Sequence, residues 1–282
     1  MLRLKIPGGH LTSAQLKAIA KAVSGPEGEI ADLTSGREIE LPGVPSAPSP
    51  EILSLLQMAG MIPQESSASF GEPSPAVPEP VGVWEQQEPG LFSLGVPVLA
   101  GRLSGGQMRK LADVVERYGA GSLRLTAGQD VLIPNVPKEK VAQALEALDA
   151  VDLRIAASPF RRGLVVCGRG DRERAKELVS HLEKQVPLEE PFRIHWSDAP
   201  CGCAGSSSAQ IAIEGGDSYD VTIGGFTAAG VPAGQLKQRI ENLLVRYKRT
   251  RGPAEPFGDF CARAGEEELR RLLLGDPESR PG

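Results

Sequence analysis

The sequence predicts an α+β protein in which two similar half-domains form a pseudo-two-fold pair, followed by one α/β domain of a different kind. The first observation is a repeat at a constant offset of 92 residues. Gly9, Leu11, Gln15, Ala20 and Val23 recur as Gly101, Leu103, Gln107, Ala112 and Val115. Leu33, Thr34, Gly36, Pro42, Val44 and Pro45 recur as Leu125, Thr126, Gly128, Pro134, Val136 and Pro137, and Leu53 and Leu56 as Leu145 and Leu148. A gapless repeat of this length marks duplicated structural units. The second observation is that both copies read as the same order of strands and helices. The third is a change of pattern near Pro159, after which neither copy's features recur.

Within each copy, a short strand (Leu2–Ile6; Leu94–Val98) runs into glycine and then a helix. Thr12 and Ser104 stand three before Gln15 and Gln107, the spacing of a capping box, which satisfies free amides at a helix start. Leu16, Ile19, Ala20 and Val23 follow at helical spacing, as do Met108, Leu111, Ala112 and Val115. Strand-like stretches come next (Ile30–Thr34 and Glu38–Leu41; Leu123–Thr126 and Asp130–Ile133), then a second helix around Glu51–Met58 or Lys138–Leu148. Two units of one kind suggest a shared sheet or core. After Pro159 the pattern reads as strand (Gly163–Cys167), helix (Arg172–Gln185), strand (Phe192–Trp196), a Cys/Gly/Ser-rich turn, two strands near Ala209–Ile213 and Tyr219–Ile223, and a helix over Ala233–Lys248.

Between the copies, residues 63–90 contain six of the 24 prolines and five glutamates but no lysine or arginine. Such a composition cannot bury enough apolar surface to offset its ordering entropy, so an extended linker is expected, with Trp84 a candidate anchor at its end. The expected organisation is therefore 1–62 and 91–156 as the two copies, 63–90 as linker, 157–275 as the second domain and 276–282 as a flexible tail.

Composition narrows the function. A net charge of −5 and 4% aromatic residues argue against a nucleic-acid interface, which needs a basic face and stacking platforms. No apolar run reaches eighteen residues, so no membrane span is expected. MLRLKIPGGH reads as a strand rather than a secretory leader, which favours the cytoplasm. The four cysteines, Cys167, Cys201, Cys203 and Cys261, are too few for a disulfide framework in a chain of this size.

Several segments carry a family resemblance. IHWSDAPCGCAGSSSAQIAI, Ile194–Ile213, resembles the stretch of siroheme-dependent nitrite and sulfite reductases that bears the second cysteine pair of a 4Fe–4S cluster. GLVVCGRGDRERA, Gly163–Ala175, is similar to the region bearing the first pair, and SYDVTIGG to the glycine-ended strand that follows the second. LRLTAGQDVLIPNVP, Leu123–Pro137, and MLRLKIPGG, Met1–Gly9, resemble the family's two ferredoxin-like halves. The resemblance implies two ferredoxin-like half-domains plus one α/β cofactor-type domain carrying siroheme and a 4Fe–4S cluster. It also implies that the family's first cofactor half is replaced here by the Pro-rich linker, leaving an incomplete pocket.

The family ligand pattern is C-x5-C followed by C-x3-C. Cys167 matches the first ligand and Cys203 the fourth, but Glu173 and Ala199 occupy the second and third places, and Cys201 stands where the family has asparagine. Two readings follow. Either Cys167, Cys201 and Cys203 hold a cluster, with Glu173, Cys261 or an exogenous ligand as the fourth, or they are structural thiols of a glycine-rich turn. Cys261, in a helical pattern, reads as core.

Arg3 and Lys5, two apart on a strand, share a face and match the family's basic substrate positions; a solvated face is the other reading. The family's T-T-R-Q arginine position is taken by Gly36, with Arg37 one residue on and expected on the opposite strand face. Arg161, Arg162 and Arg193 are the candidates for siroheme's carboxylates, or else surface charge. His195 and Trp196 read as satisfied strand or core residues. The partners implied are a small oxyanion or a tetrapyrrole, and an electron-donor protein or a larger reductase partner. The reaction implied is reduction of nitrite, sulfite or a related oxyanion. A non-catalytic tetrapyrrole- or partner-binding member, or a protein like the related precorrin-3B synthase, is the alternative.

Overall fold

The computed structural model describes residues 1–24, 30–61, 63–64, 81–167, 171–199 and 208–275. The chain divides into two units, Met1–Ala157 and Ser158–Gly282.

In the first unit the elements run β1 (Leu2–Lys5), β2 (His10–Thr12), α1 (Ser13–Ala22), β3 (Ile30–Leu33), β4 (Glu38–Leu41), α2 (Pro50–Met58) and β5 (Pro63–Gln64). They continue with β6 (Gly82–Glu85), β7 (Leu91–Val96), β8 (Arg102–Ser104), α3 (Gly105–Arg117), β9 (Ser122–Leu125), β10 (Val131–Pro137) and α4 (Val141–Asp149). Both expected capping boxes form: Thr12 Oγ1 accepts from the Gln15 amide at 3.2 Å and Ser104 Oγ from that of Gln107 at 3.1 Å, with each glutamine side chain returning the bond at 2.9 Å. Each such cap stabilises its helix by about 1 kcal/mol. The helices point their apolar stripes inward, Leu16, Ile19 and Ala20 from α1 and Met108, Leu111 and Val115 from α3, and α1 packs on α3.

These elements build two five-stranded sheets, ordered β5-β1-β4-β3-β8 and β2-β9-β10-β7-β6. Each sheet takes one strand from the other copy. Arg102–Ser104 of the second copy lies antiparallel on Asp32–Ile30 of the first, and His10–Thr12 of the first lies on Arg124–Ser122 of the second. The two copies thus own separate sheets with reciprocally exchanged edge strands, above one continuous apolar core that runs from Leu2 to Leu153.

Before each exchanged strand the chain makes a 3-10 turn, at Pro7–Gly9 and Leu99–Gly101. Gly9 (φ +73) and Gly101 (φ +63) end these turns in the left-handed region. A Cβ at Gly9 would come within 2.8 Å of Leu125 O, and one at Gly101 within 2.9 Å of Gln129 Cβ and 3.0 Å of Leu33 O. The repeated glycine is therefore required where the exchanging arm crosses the other copy.

Residues expected as linker behave differently at both ends. Pro63–Gln64 pairs with Leu4–Arg3, and Gly82–Glu85 pairs with Gly95–Phe92. Backbone pairing to a ready strand edge outweighs composition there; the stretch 65–80 lies outside the described residues, as does the expected tail 276–282.

In the second unit, α5 (Pro159–Gly163), β11 (Leu164–Cys167), α6 (Arg172–Gln185), β12 (Ile194–Ser197), β13 (Ile211–Gly215), β14 (Ser218–Ile223), β15 (Phe226–Pro232), α7 (Ala233–Thr250) and α8 (Phe257–Leu274) follow in order. One sheet, ordered β11-β12-β13-β14-β15, is parallel through β13 and antiparallel beyond. β15 is an addition to the sequence-based expectation, whereas the helical pattern read around Cys261 is met by α8, which is interrupted at Gly265 (φ 77). Gly163 abuts the next strand so closely that a Cβ would lie 1.9 Å from Phe192 O. Phe160, Phe192, Phe257 and Tyr247 meet edge to face, with centroids 5.1–5.4 Å apart, and close this unit's core.

Two outcomes test this account. At the exchange, Arg102 Nε and Nη2 donate to Asp32 Oδ1 and Oδ2 at 2.7 and 2.8 Å. Arg102→Met should lower stability in urea by about 2–4 kcal/mol, because it strips a buried carboxylate of its bidentate partner; Lys17→Ala, which breaks the exposed pair with Glu116, should leave stability unchanged. Asp130, buried and accepting the Val98 amide at 2.8 Å, has its carboxyl pushed up to about 7 by burial, against the lowering effect of that bond. A raised folded-state value means that the stability contribution is full below about pH 4 and lost as pH rises through about 7. Asp130→Asn should therefore gain on wild type from pH 5 to pH 8 in denaturant titrations, by on the order of a few kcal/mol, since one pKa unit is about 1.4 kcal/mol.

Candidate functional site

In the first unit the candidate anion-binding residues lie on β1. Arg3 and Glu40 are Cα partners across β1 and β4, and their side chains form an ion pair, with Glu38 Oε2 a further 3.8 Å from Arg3 Nε. Two carboxylates thus compensate the Arg3 guanidinium. Lys5, the next residue on that face, is exposed. Arg37 is not on a strand: it sits in a tight turn with φ 60, where its amide donates to Thr34 O at 3.0 Å. This corrects the expectation of an opposite strand face, and the side chain instead lies over Gly9, whose Cβ would fall 3.2 Å from Arg37 Cδ. The second copy has the same turn: Gln129 (φ 65) donates to Thr126 O at 3.2 Å. In each, the threonine hydroxyl accepts the amide that ends the turn, that of Glu38 at 3.1 Å and of Asp130 at 3.0 Å.

In the second unit the parallel strands set the geometry. Cys167 and Ser197 end β11 and β12 and are Cα partners, with Glu214 next in the same row on β13. Partners in a parallel sheet project from the same face and neighbouring strands lie about 4.8 Å apart. That face carries Val165, Cys167, His195, Ser197, Ala212 and Glu214, while Val166, Trp196 and Ile213 occupy the other, where Trp196 meets Tyr219 with centroids 5.0 Å apart. His195 and Ser197 are each 1% exposed. Among the described residues, Ser197 Oγ is buried without a hydrogen-bond partner, as is Trp196 Nε1 on the opposite face. An orphaned buried hydroxyl costs about 1–3 kcal/mol, so its retention calls for an explanation. Carboxyl ends of parallel strands are where open α/β sheets bind ligands.

The remaining candidates are spread apart. Arg161 and Arg162, in α5, and Arg193, just before β12, gather at the amino ends of the same strands, opposite to Cys167 and Ser197. Arg161 Nε meets Glu183 Oε1 at 3.3 Å and Arg193 Nη1 donates to Ser208 Oγ at 3.2 Å, whereas no hydrogen bond or ion pair engages the Arg162 side chain among the described residues. Glu173, in the first turn of α6, is exposed and faces Lys176 at 3.5 Å. Cys261 is buried in α8 against Gly224, and burial pushes its thiol up to about 12. Among the described residues no three His, Cys, Asp or Glu side chains converge to hold a metal ion. Cys201 and Cys203 lie outside the described residues. Ser197 is the addition to the sequence-based candidates; only its place on the strand face of Cys167, three residues past the end of the basic Arg193–Ile194 entry, could have signalled it.

Comparisons with known proteins agree with this architecture. The family described as the nitrite/sulfite reductase ferredoxin-like half domain matches residues 1–59 and 84–151. A sulfite reductase [ferredoxin] of Mycolicibacterium paratuberculosis is 29% identical over 216 residues, covering 64% of this chain and 39% of that protein. The chloroplastic ferredoxin–nitrite reductase of Zea mays is 32% identical over 196 residues, covering 58% of this chain and 34% of that protein. The alignments thus span little more than a third of these relatives' length. The structure of the Mycobacterium tuberculosis NirA protein superposes with a TM-score of 0.79 at 16% identity, over 95% of this chain and 84% of that one, which shows a shared fold. The first unit therefore matches two paired nitrite/sulfite reductase ferredoxin-like half domains, and the chain is similar to sulfite and nitrite reductases.

Proposed function

We propose that the chain is a redox protein of the nitrite/sulfite reductase type that works with siroheme and a sulfur-ligated iron cluster on a small oxyanion. The observation that carries this reading is the buried thiol of Cys167, whose Cα partner Ser197 has a hydroxyl without a hydrogen-bond partner among the described residues, at the carboxyl ends of parallel strands. A soft thiolate donor suits iron–sulfur ligation, and a spare buried donor suits the sulfur-rich, electron-rich surface of such a group. Cys167 is the described residue that would hold it, with Cys201 and Cys203 as further thiolates from the sequence. Glu173, turned to solvent, and Cys261, packed against Gly224, do not fit as its ligands. Such a pair of groups would supply electrons one at a time for the reduction of an oxyanion.

The chain's own residues then have separate tasks. Arg162, with no competing carboxylate among the described residues, and Arg193 offer guanidinium donors for siroheme's carboxylates. Lys5 supplies positive charge for an oxyanion, while Arg3, compensated by Glu38 and Glu40, orders the strand beside it. That compensation favours a second reading, a member that holds a tetrapyrrole without reducing an oxyanion. The names of both relatives include ferredoxin, and a small electron-donor protein is the partner this reading requires.

The test is an absorption and EPR spectrum of protein produced with iron, sulfide and siroheme supplied, followed by turnover of nitrite and sulfite with a reduced viologen dye. A Soret band, iron–sulfur signals and turnover are expected. Absence of both signals, with no iron on analysis, overturns the reading; both signals without turnover would establish the second one.

A further inference from the structure

We propose that the outer edge of β6 (Gly82–Glu85) docks an extended, basic segment of a partner protein, which adds to the sheet as a further strand. The proposal stands apart from the redox reading. Among the described residues β6 pairs with β7 alone and ends the sheet β2-β9-β10-β7-β6. The Gln86 amide donates to Leu91 O at 2.8 Å, so Gln86, Trp84 and Gly82 turn their backbone groups toward β7. Val83 and Glu85 therefore point their N–H and C=O groups away from the sheet. An edge of this kind is a template for strand addition unless the fold blunts it. In the other sheet the matching edge is blunted: β5 is 2 residues long, and Pro63 has no amide to donate. β6 has 4 residues and no proline, and Val83 on it is 40% exposed.

Charge selects the occupant. Residues 81–92 carry the carboxylates of Glu85 and Glu88 and no lysine or arginine. Glu85 is exposed and held in place by the Gly90 amide, which donates to its Oε1 at 3.1 Å. Glu88 is exposed in the β6–β7 connection, and among the described residues neither carboxylate enters an ion pair. Trp84 flanks them in an open concavity that Gln86, Leu91 and Asn135 help to line, with no cation among its described walls. A lysine or arginine opposite Glu85 makes an oppositely charged cross-strand pair, and one opposite Trp84 meets the face of the indole. The chain itself has no such strand to offer nearby. Residues 63–90 contain no lysine or arginine, and a second copy's β6 would bring further glutamates to an edge already acidic. Backbone bonds to Val83 and Glu85 supply affinity for the basic strand, and its alternate side chains supply specificity.

The test titrates the full chain into a short, capped, fluorescein-labelled peptide that alternates arginine and valine, read by fluorescence anisotropy. Saturable binding that weakens as salt is raised is expected. Glu85→Gln keeps an acceptor for the Gly90 amide but not the charge, and should weaken binding about threefold. Val83→Pro removes an outward amide without touching the β7 ladder, and should weaken binding about tenfold. Both variants should melt at the wild-type temperature. The same peptide N-methylated at alternate residues cannot pair with a strand edge, so it should lose binding to the unaltered chain whatever the variants do. An N-methylated peptide that binds as well as its parent shows recognition of charge alone and overturns the proposal. A wild-type dimer that Val83→Pro converts to monomer also overturns it, because the occupant is then a second copy. Binding that appears only when residues 65–80 are replaced by a glycine–serine linker does the same, because the occupant is then that segment. Absence of saturable binding to wild type and linker-replaced chain alike overturns it outright.

Discussion

Everything in the first unit depends on the reciprocal exchange of two three-residue strands. Backbone donors and acceptors at a sheet edge must be paired or solvated, and β3 and β9 find their outer partners only in the other copy. The exchange places Leu11 and Leu103 inside a common core, brings α1 against α3, and requires glycine at positions 9 and 101 where the crossing arms touch the opposing backbone. A single copy is accordingly an incomplete object: its sheet lacks an edge and its arm lacks a place to lie. The expectation of a shared core is met in this way, by two separate sheets rather than one.

The sequence makes some of this legible and hides the rest for identifiable reasons. The capping boxes at Thr12 and Ser104 and the periodic faces of α1 and α3 are local, so spacing reveals them. His10–Thr12 and Arg102–Ser104 are too short to show an alternating pattern, and their partners are far away in sequence, so nothing local marks them as strands. β15 contains Ala-Ala-Gly with Gly230 at positive φ, which defeats pattern reading. Arg37 reads as a strand residue because Glu38 begins a strand, yet the turn that sets its direction is fixed by Thr34. The orphan hydroxyl of Ser197 is a tertiary property, visible only when every neighbour is in place.

The second unit separates two kinds of chemistry along the same strands. Guanidinium groups collect where β11 and β12 begin, and the thiol–hydroxyl row lies where they end. Four-residue strands hold these ends about 13 Å apart, at about 3.3 Å per residue. One sheet thus keeps positive charge and thiol chemistry apart at its two ends. Gly163 and Phe192 lock the guanidinium end, because their backbones touch with no room for a side chain.

The paired turns at Thr34–Glu38 and Thr126–Asp130 show what duplication offers to chemistry. Their backbones are the same, down to the threonine hydroxyl that closes each one. Their carboxylates have opposite fates: Glu38 meets a cation on a neighbouring strand, whereas Asp130 is sealed against an amide. The shared backbone fixes where each acid starts, and its surroundings decide whether it stays a charged partner in an ion pair or becomes a buried group whose carboxyl is pushed up to about 7, so one duplicated turn gives two different electrostatic sites.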